Sequence, residues 1–336
     1  MKILLIGMGV VGRSFVRLLA ERGGELYRRH GLAARLVGVV DRGGVAVSER
    51  GLNLPDLLAI KERDGTVAAL GQSGGDAERL IEDTDADVVI EATPTDVRRP
   101  QAAMSRMKCA MRHGRHVISV NKGPLATAMP ALVELANYNR VEFRFSGTVG
   151  GGTPMLAAAR EAARGDEIVG IRAILNGTTN FILSRMHDAG ESFDAALAEA
   201  IRLGYAETDP SADIDGVDTA TKVVILANWV LGRSATLNDV TIAGIRGMAD
   251  ARIREAAAAG KRVKLIGRID EKGISVQPEE IPAGGPMDVS GSLNAMCVTL
   301  KTAGEVTLVG RGAGGPETAV AIARDLLDIW HVVHEK

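Results

Sequence analysis

The sequence predicts an α/β protein in two parts, an N-terminal parallel sheet with helices on both faces and then an α+β domain. Three observations carry that expectation. Short apolar runs alternate with helical patterns through the first third of the 336-residue chain. A turn with spaced glycines joins the first apolar run to the first helical pattern. Beyond about residue 150 the helical stretches lengthen and become rich in alanine, and the strand-like runs lie further apart. Strands that are apolar without alternation are buried on both faces, the habit of parallel sheets with crossover helices.

In chain order, Ile3–Ile6 reads as the first strand and Arg13–Arg29 as a helix with Phe15, Leu18, Leu19 and Leu26 on one side. Arg35–Val40 is a second strand ending at Asp41, and Asp87–Glu91 a third running into Ala92-Thr93-Pro94. His116–Val120 is a fourth, followed by Asn121-Lys122-Gly123-Pro124. In the second half Ile168–Leu175 and Gly273–Gln277 read as strands and residues 279–295 as a loose loop. Thr318–Val333 reads as an amphipathic helix introduced by Gly310–Gly315. The expected division is a first domain over 1–147, completed by 310–336, and a second over 148–309. Met104, Met107 and Met111 share a helical face and are expected in the core.

Composition narrows the function classes. The apolar fraction of 46% and charged fraction of 24% are those of an ordinary globular protein. A formal net charge of −2 gives no electrostatic case for nucleic acid or an anionic membrane as partner. No apolar run approaches the length of a membrane span. The opening MKILLIGMGVVG is broken by glycines and lacks a small-residue cleavage site, so it reads as a buried strand rather than a signal peptide. Cys109 and Cys297 are too few for a disulfide framework. A cytoplasmic protein is expected.

Gly7-Met8-Gly9-Val10-Val11-Gly12 lies where a strand turns into a helix, the context in which this spacing binds a dinucleotide. The first glycine makes the turn, the second lets a pyrophosphate reach the backbone, and the third allows close helix–strand packing. The helix N-terminus then faces the phosphates. A Rossmann-type domain follows from this. Asp41 stands where an acidic residue accepts from a ribose hydroxyl in NAD sites, whereas its neighbour Arg42 suits the 2′-phosphate of NADP. Both cofactors stay open.

The segment from Ala200 to Lys222 gathers Glu207, Asp209, Asp213, Asp215, Asp218 and Lys222 around one Gly/Pro-rich turn. With Asp215 as N-cap of a new helix, Asp218 and Lys222 fall at i and i+4 and share a face. Val217, Val224 and Leu231 supply its apolar side. A lone pair of this kind is an ordinary surface ion pair. The density of acids before it suits a substrate ammonium group, and a hydroxyl being oxidised wants a base such as lysine. Dehydrogenation of a small amino alcohol uses both.

The 200–222 stretch resembles the diagnostic motif of homoserine dehydrogenases. Gly7–Gly12, Glu91–Thr95, Asn121–Leu125, Thr148–Pro154, Asn176–Asn180 and Gly310–Gly315 are similar to that family in the same order, covering most of the chain. The resemblance implies an NAD- or NADP-linked interconversion of L-homoserine and L-aspartate 4-semialdehyde, within amino-acid biosynthesis. It implies Lys222 as proton donor and acceptor, Asp218 as its orienting partner and substrate ligand, and Glu207 and Asp213 as substrate-binding. Lys122, at the end of a first-domain strand, is a second candidate base and lies near the cofactor. Gly177 and Thr178, opening a helix, suit the substrate carboxylate. Gly204, Thr93, Pro94, Gly312 and Gly314 are implied beside the cofactor, with the last glycines returning the chain to it. The loop Thr148–Pro154 resembles one whose backbone carbonyls hold a monovalent cation, here through Val149, Gly151 and Thr153. Ser146 stands where many members carry a glutamate, which removes most of the attraction for a hard cation. The family also implies a homodimer or higher oligomer. Longer members carry a regulatory domain or fused kinase, for which this chain is expected to have no room.

Competing readings are a dehydrogenase for a related amino alcohol or semialdehyde, and a non-catalytic dinucleotide sensor. Cys109, His113 and His116 invite a metal reading, but His116 opens a strand and no fourth ligand is evident. His187 is expected at the surface. No Gly-x-Ser-x-Gly elbow argues for a hydrolase.

Overall fold

The computed structural model describes residues 1–334, which divide into two units, Met1–Thr148 joined by the chain from Gly314 onward, and Val149–Ala313. Gly310 and Arg311, expected with the first part, end a strand of the second unit instead.

The first unit runs β1 (Lys2–Ile6), α1 (Val10–His30), β2 (Arg35–Val40), β3 (Gly44–Val47), α2 (Leu54–Asp64), β4 (Gln72–Ser73) and α3 (Ala77–Asp83). It continues with β5 (Val88–Glu91), α4 (Gln101–Arg112), β6 (His116–Ser119), α5 (Lys122–Tyr138) and β7 (Phe143–Arg144). The sheet order is β4-β3-β2-β1-β5-β6-β7. From β2 to β7 the neighbours pair in parallel, while β3 and β4 add an antiparallel edge. The chain leaves β1 towards β2 and later returns to β5 on its other side, so the topological switch lies between β1 and β5. In open α/β sheets ligands bind at the carboxyl ends of the strands at such a switch.

The strands the sequence predicted here are present to within a residue or so, because each is buried on both faces. Their side chains Ile3, Leu5, Ile90 and Ile118 pack with Phe15, Val16 and Leu19 of α1. Met107 and Met111 are buried as expected, with Met104 half-buried. The last helix, α12 (Gly315–His334), adds Ile322, Leu326 and Ile329 to the same core. Each such side chain contributes roughly 1.5–3 kcal/mol by leaving water. Trp330 Nε1 donates to the His30 carbonyl at 2.9 Å, fixing the far end of α12 along α1. Asp325 of α12 is fully buried, accepts from Ser146 N at 3.0 Å, and is pushed up to about 7 by burial.

The second unit comprises α6 (Met155–Ala162), β8 (Ile168–Ile174), α7 (Gly177–Ala189), α8 (Phe193–Arg202), α9 (Ser211–Ile214) and α10 (Val217–Leu231). Then come β9 (Val240–Ile242), α11 (Asp250–Ala258), β10 (Lys261–Asp270), β11 (Gly273–Pro282), β12 (Leu293–Leu300) and β13 (Gly304–Arg311). Its sheet order is β13-β12-β8-β10-β11-β9, antiparallel except for β9 on β11. The loop expected over 279–295 is shorter, because β11 continues to Pro282 and β12 begins at Leu293.

α10 packs against β9, β10 and β11, and Gly267 of β10 lets it approach, since a Cβ there would overlap Val223. The helix is buried from Thr219 to Asn228 rather than amphipathic. Lys264 of β10 is also buried. Its Nζ donates to Asn180 Oδ1 at 2.9 Å and to the Val289 carbonyl at 2.7 Å, holding the β11–β12 loop on α7, and burial lowers its pKa to about 8. His187, expected at the surface, accepts from Val263 N at 2.9 Å and is structural. Among the described residues no helix is long and apolar enough to cross a membrane.

Candidate active site

The glycine loop has the geometry its spacing predicts. Gly7 has φ +102°, and a Cβ on it would lie 2.6 Å from the Ala92 carbonyl oxygen and 2.8 Å from Thr93 N. A Cβ on Gly12 would overlap the Gly7 carbonyl oxygen, whereas one on Gly9 would meet nothing within 4 Å. Gly9 caps α1 without any side-chain hydrogen bond, Val10 is exposed, and no acidic residue occupies the first turn. Uncapped amides at the positive end of a 21-residue helix, with open space at Gly9, suit a diphosphate. Gly315 lets α12 start against this turn, since a Cβ there would lie 2.8 Å from Val10 Cγ1. Gly314 (φ +127°) makes the bend before it, while Gly312 belongs to the second unit and packs on Asn294.

Beside the loop, the ends of β5 and β6 carry a polar network that sequence reasoning missed. Glu91 is buried and accepts from Arg106 Nε at 2.7 Å and from Thr93 N at 3.0 Å. Arg106 Nη2 donates to Thr93 Oγ1 at 3.0 Å, and Asn121 Nδ2 donates to the same oxygen and to the Pro94 carbonyl, each at 3.1 Å. The Thr93-Pro94 turn is thereby fixed against Gly7. Lys122 opens α5 next to it, its N–H donating to Thr95 Oγ1 at 3.2 Å.

Asp41 stands at the end of β2 as expected, but its carboxylate faces its own chain. It accepts from Gly43 N, Gly44 N, Thr66 Oγ1 and Val67 N between 2.8 and 3.0 Å, and from Lys61 Nζ at 2.5 Å. Its side chain is only 3% exposed. Burial pushes the carboxyl up, but the bonds from Lys61, Gly43 and Thr66 outweigh that and hold it below the usual range. Two oxygens offer about four acceptor sites, and five donors already fill them. Arg42 beside it is exposed.

In the second unit Asp213, Asp218 and Lys222 converge at the end of β8. Lys222 Nζ donates to the Leu175 carbonyl and to Asp218 Oδ2, each at 2.6 Å, with the two side chains only 8% and 15% exposed. Asn176 Nδ2 donates to Asp213 Oδ1 at 2.6 Å and to Asp218 Oδ2 at 3.0 Å. Burial pushes the Asp213 carboxyl up, and the Asp218 charge adds to the rise. The i,i+4 spacing of Asp218 and Lys222 is as expected. Their helix is capped differently: Gly216 in the left-handed region precedes α10 without a side-chain cap, and Asp215 pairs with Arg246 at 2.6 and 2.8 Å.

Asn176 caps α7, accepting from Thr179 N at 2.9 Å. Thr178 Oγ1 donates to the Tyr205 carbonyl at 2.7 Å, so its hydroxyl proton is engaged, while the N–H groups of Gly177 and Thr178 belong to the uncapped first turn. Glu207 lies exposed after α8, with no hydrogen bond or ion pair among the described residues. Gly204 (φ +76°) ends α8 in an open turn.

The Val149, Gly151 and Thr153 loop suits a cation poorly. It contains no carboxylate, and the Thr153 carbonyl already accepts from Met155 N at 2.8 Å. Cys109 and His113 lie near Glu82, with ligand atoms within 4.8 Å of one another, but His113 Nδ1 sits on the Cys109 carbonyl at 2.9 Å. His116 is elsewhere, accepting from Glu142 N.

A glycine loop opening a helix and a buried lysine beside two carboxylates suit a dehydrogenase, and sequence comparison says which. Residues 7–146 match the family model for the homoserine dehydrogenase NAD binding domain, and residues 154–327 match that for homoserine dehydrogenase. The chain belongs to the homoserine dehydrogenase family. It is an NAD(P)-dependent oxidoreductase. A homoserine dehydrogenase of Methanocaldococcus jannaschii is 38% identical over 98% of this chain and 99% of its own length. The crystal structure of one from Archaeoglobus fulgidus superposes with a TM-score of 0.91 at 33% identity, covering 98% of this chain and 99% of that one. A hyperthermophilic archaeal homoserine dehydrogenase in complex with NADPH superposes with a TM-score of 0.85 at 30% identity, covering 98% and 97%.

Proposed function

We propose that the chain interconverts L-homoserine and L-aspartate 4-semialdehyde, with Lys222 moving the proton at the substrate oxygen. The observation that carries this is the Lys222 ammonium, which has two of its three N–H groups engaged by Leu175 and Asp218 and one left to point at a reacting oxygen. The nicotinamide, when bound, takes the hydride from substrate C4 or returns it. In the reductive direction Lys222 donates a proton to the aldehyde oxygen as the hydride arrives at carbon. In the oxidative direction the neutral amine takes the hydroxyl proton back. Asp218 orients the amine. Asp213 and Glu207 receive the substrate ammonium, and the Gly177 and Thr178 N–H groups receive its carboxylate. Lys122 is the second candidate base.

The test is to mix the protein with L-homoserine and NAD or NADP at alkaline pH and follow reduced cofactor, with other amino alcohols in parallel. Turnover selective for homoserine is expected. If neither nucleotide is reduced, and the semialdehyde with NADH or NADPH also fails, the substrate reading falls.

Cofactor preference follows from Asp41. A carboxylate saturated by its own chain neither binds a ribose diol nor repels a 2′-phosphate, and Arg42 is exposed beside it, so NADP is expected to serve at least as well as NAD. Arg42→Ala is expected to raise KM for NADP about tenfold, the worth of one charge-assisted hydrogen bond, with NAD little changed. An equal loss for both nucleotides would remove Arg42 from this role.

Self-association as a dimer is also part of this reading. It is supported by β13, the sheet edge of the second unit, which leaves Val306 and Val309 exposed, and light scattering tests it.

A further inference from the structure

Asn176 bridges the two carboxylates of the candidate site from the end of β8. Its Nδ2 reaches Asp213 Oδ1 at 2.6 Å and Asp218 Oδ2 at 3.0 Å, while its Oδ1 accepts from Thr179 N at 2.9 Å. That triple contact fixes the amide's orientation, because the reversed amide would set its oxygen against two carboxylates and its N–H groups against another N–H. The next residue back, Leu175, supplies the carbonyl that holds Lys222. One dipeptide therefore touches both acids, the lysine and the N-terminus of α7.

We propose that Asn176 is a positioning residue that lets Asp213 and Asp218 stay ionised side by side, and so sets the acid limb of the enzyme's pH profile. The inference rests on the homoserine reading above. Two carboxylates in a half-buried site each oppose the other's charge. Asp218 and Lys222, both of α10, face Asp213, and the Thr178 hydroxyl of α7 stands beside it. Arg246, before α11, pairs with Asp215 instead. Lys222 is engaged by Asp218, and burial together with the Asp218 charge drives the Asp213 carboxyl up. The Asn176 amide stabilises both charged forms with one hydrogen bond each and holds their spacing for an incoming ammonium.

The experiment compares the wild type with Asn176→Asp and Asn176→Ser in semialdehyde reduction, measuring kcat/KM as a function of pH. Asp and Ser both keep an oxygen able to cap α7, so helix capping is retained while the bridge is lost. Asn176→Asp is expected to move the acid limb up by about one pH unit or more, the effect of a like charge at contact distance. Activity at a pH on that limb then falls about tenfold and returns as the pH is raised. Asn176→Ser is expected to move it the same way by less, and it decides the matter if the Asp variant does not fold. The nucleotide KM stays unchanged in both. Variants that keep the wild-type acid limb, whatever they lose in Tm, would overturn the proposal and leave Asn176 a helix cap. Failure of the wild type itself to reduce the semialdehyde would instead remove the reading on which the proposal stands.

Discussion

Lys222→Ala is expected to lower kcat for homoserine oxidation by about 10²–10⁴-fold, the usual contribution of a positioned acid–base group. The loss should fall on kcat rather than on nucleotide KM, because the proposed role of Lys222 is proton transfer at the substrate oxygen and not nucleotide binding. Truncation also strips the Leu175 carbonyl and Asp218 of a donor in a largely buried place, costing about 1–3 kcal/mol of stability. Lys222→Arg separates these effects. A guanidinium keeps the charge beside Asp218 and most of the stability, yet it does not release a proton, so it should be nearly as inactive as alanine. Lys122→Ala is expected to be milder. If Lys122→Ala abolishes kcat while Lys222→Ala keeps activity within about tenfold, the two lysines exchange roles.

The contrast between the two units shows what a sequence can carry. Strands β1, β2, β5 and β6 are buried on both faces, so their apolar runs were legible. β3 and β4 were not, being four and two residues long at an antiparallel edge. β10 also escaped, because Lys261, Lys264, Arg268 and Asp270 interrupt its pattern. Nothing local says that Lys264 is buried under the β11–β12 loop.

The site divides in the same way. The i,i+4 relation of Asp218 and Lys222 is local and was predictable. The Asp215 cap was not, because the choice between a side-chain cap and a left-handed Gly216 depends on Arg246, which draws Asp215 away. Asp41 was found by position, but its orientation depends on donors 20 to 26 residues further along the chain. Asn176 meets Asp213 and Asp218 across 37 and 42 residues, a separation at which only the fold can pair them.

Arg106→Met should be the most destabilising single change in the first unit, at about 3–5 kcal/mol, because it leaves a carboxylate buried without its cation. Glu91 has a side chain 1% exposed, and Arg106 supplies its charge partner at 2.7 Å. On a unit of this size a loss of that magnitude lowers Tm by on the order of 10 °C. Pairing the change with Glu91→Gln should recover much of the stability, since neither partner is then a lone charge. Function should not recover with it. Arg106 also holds Thr93 Oγ1 at 3.0 Å, and the Thr93 backbone closes on Gly7, so the double variant should fold and still show a raised nucleotide KM. Thermal melts and nucleotide titrations on both variants test each step. A double variant with wild-type nucleotide KM would show that the network serves stability alone.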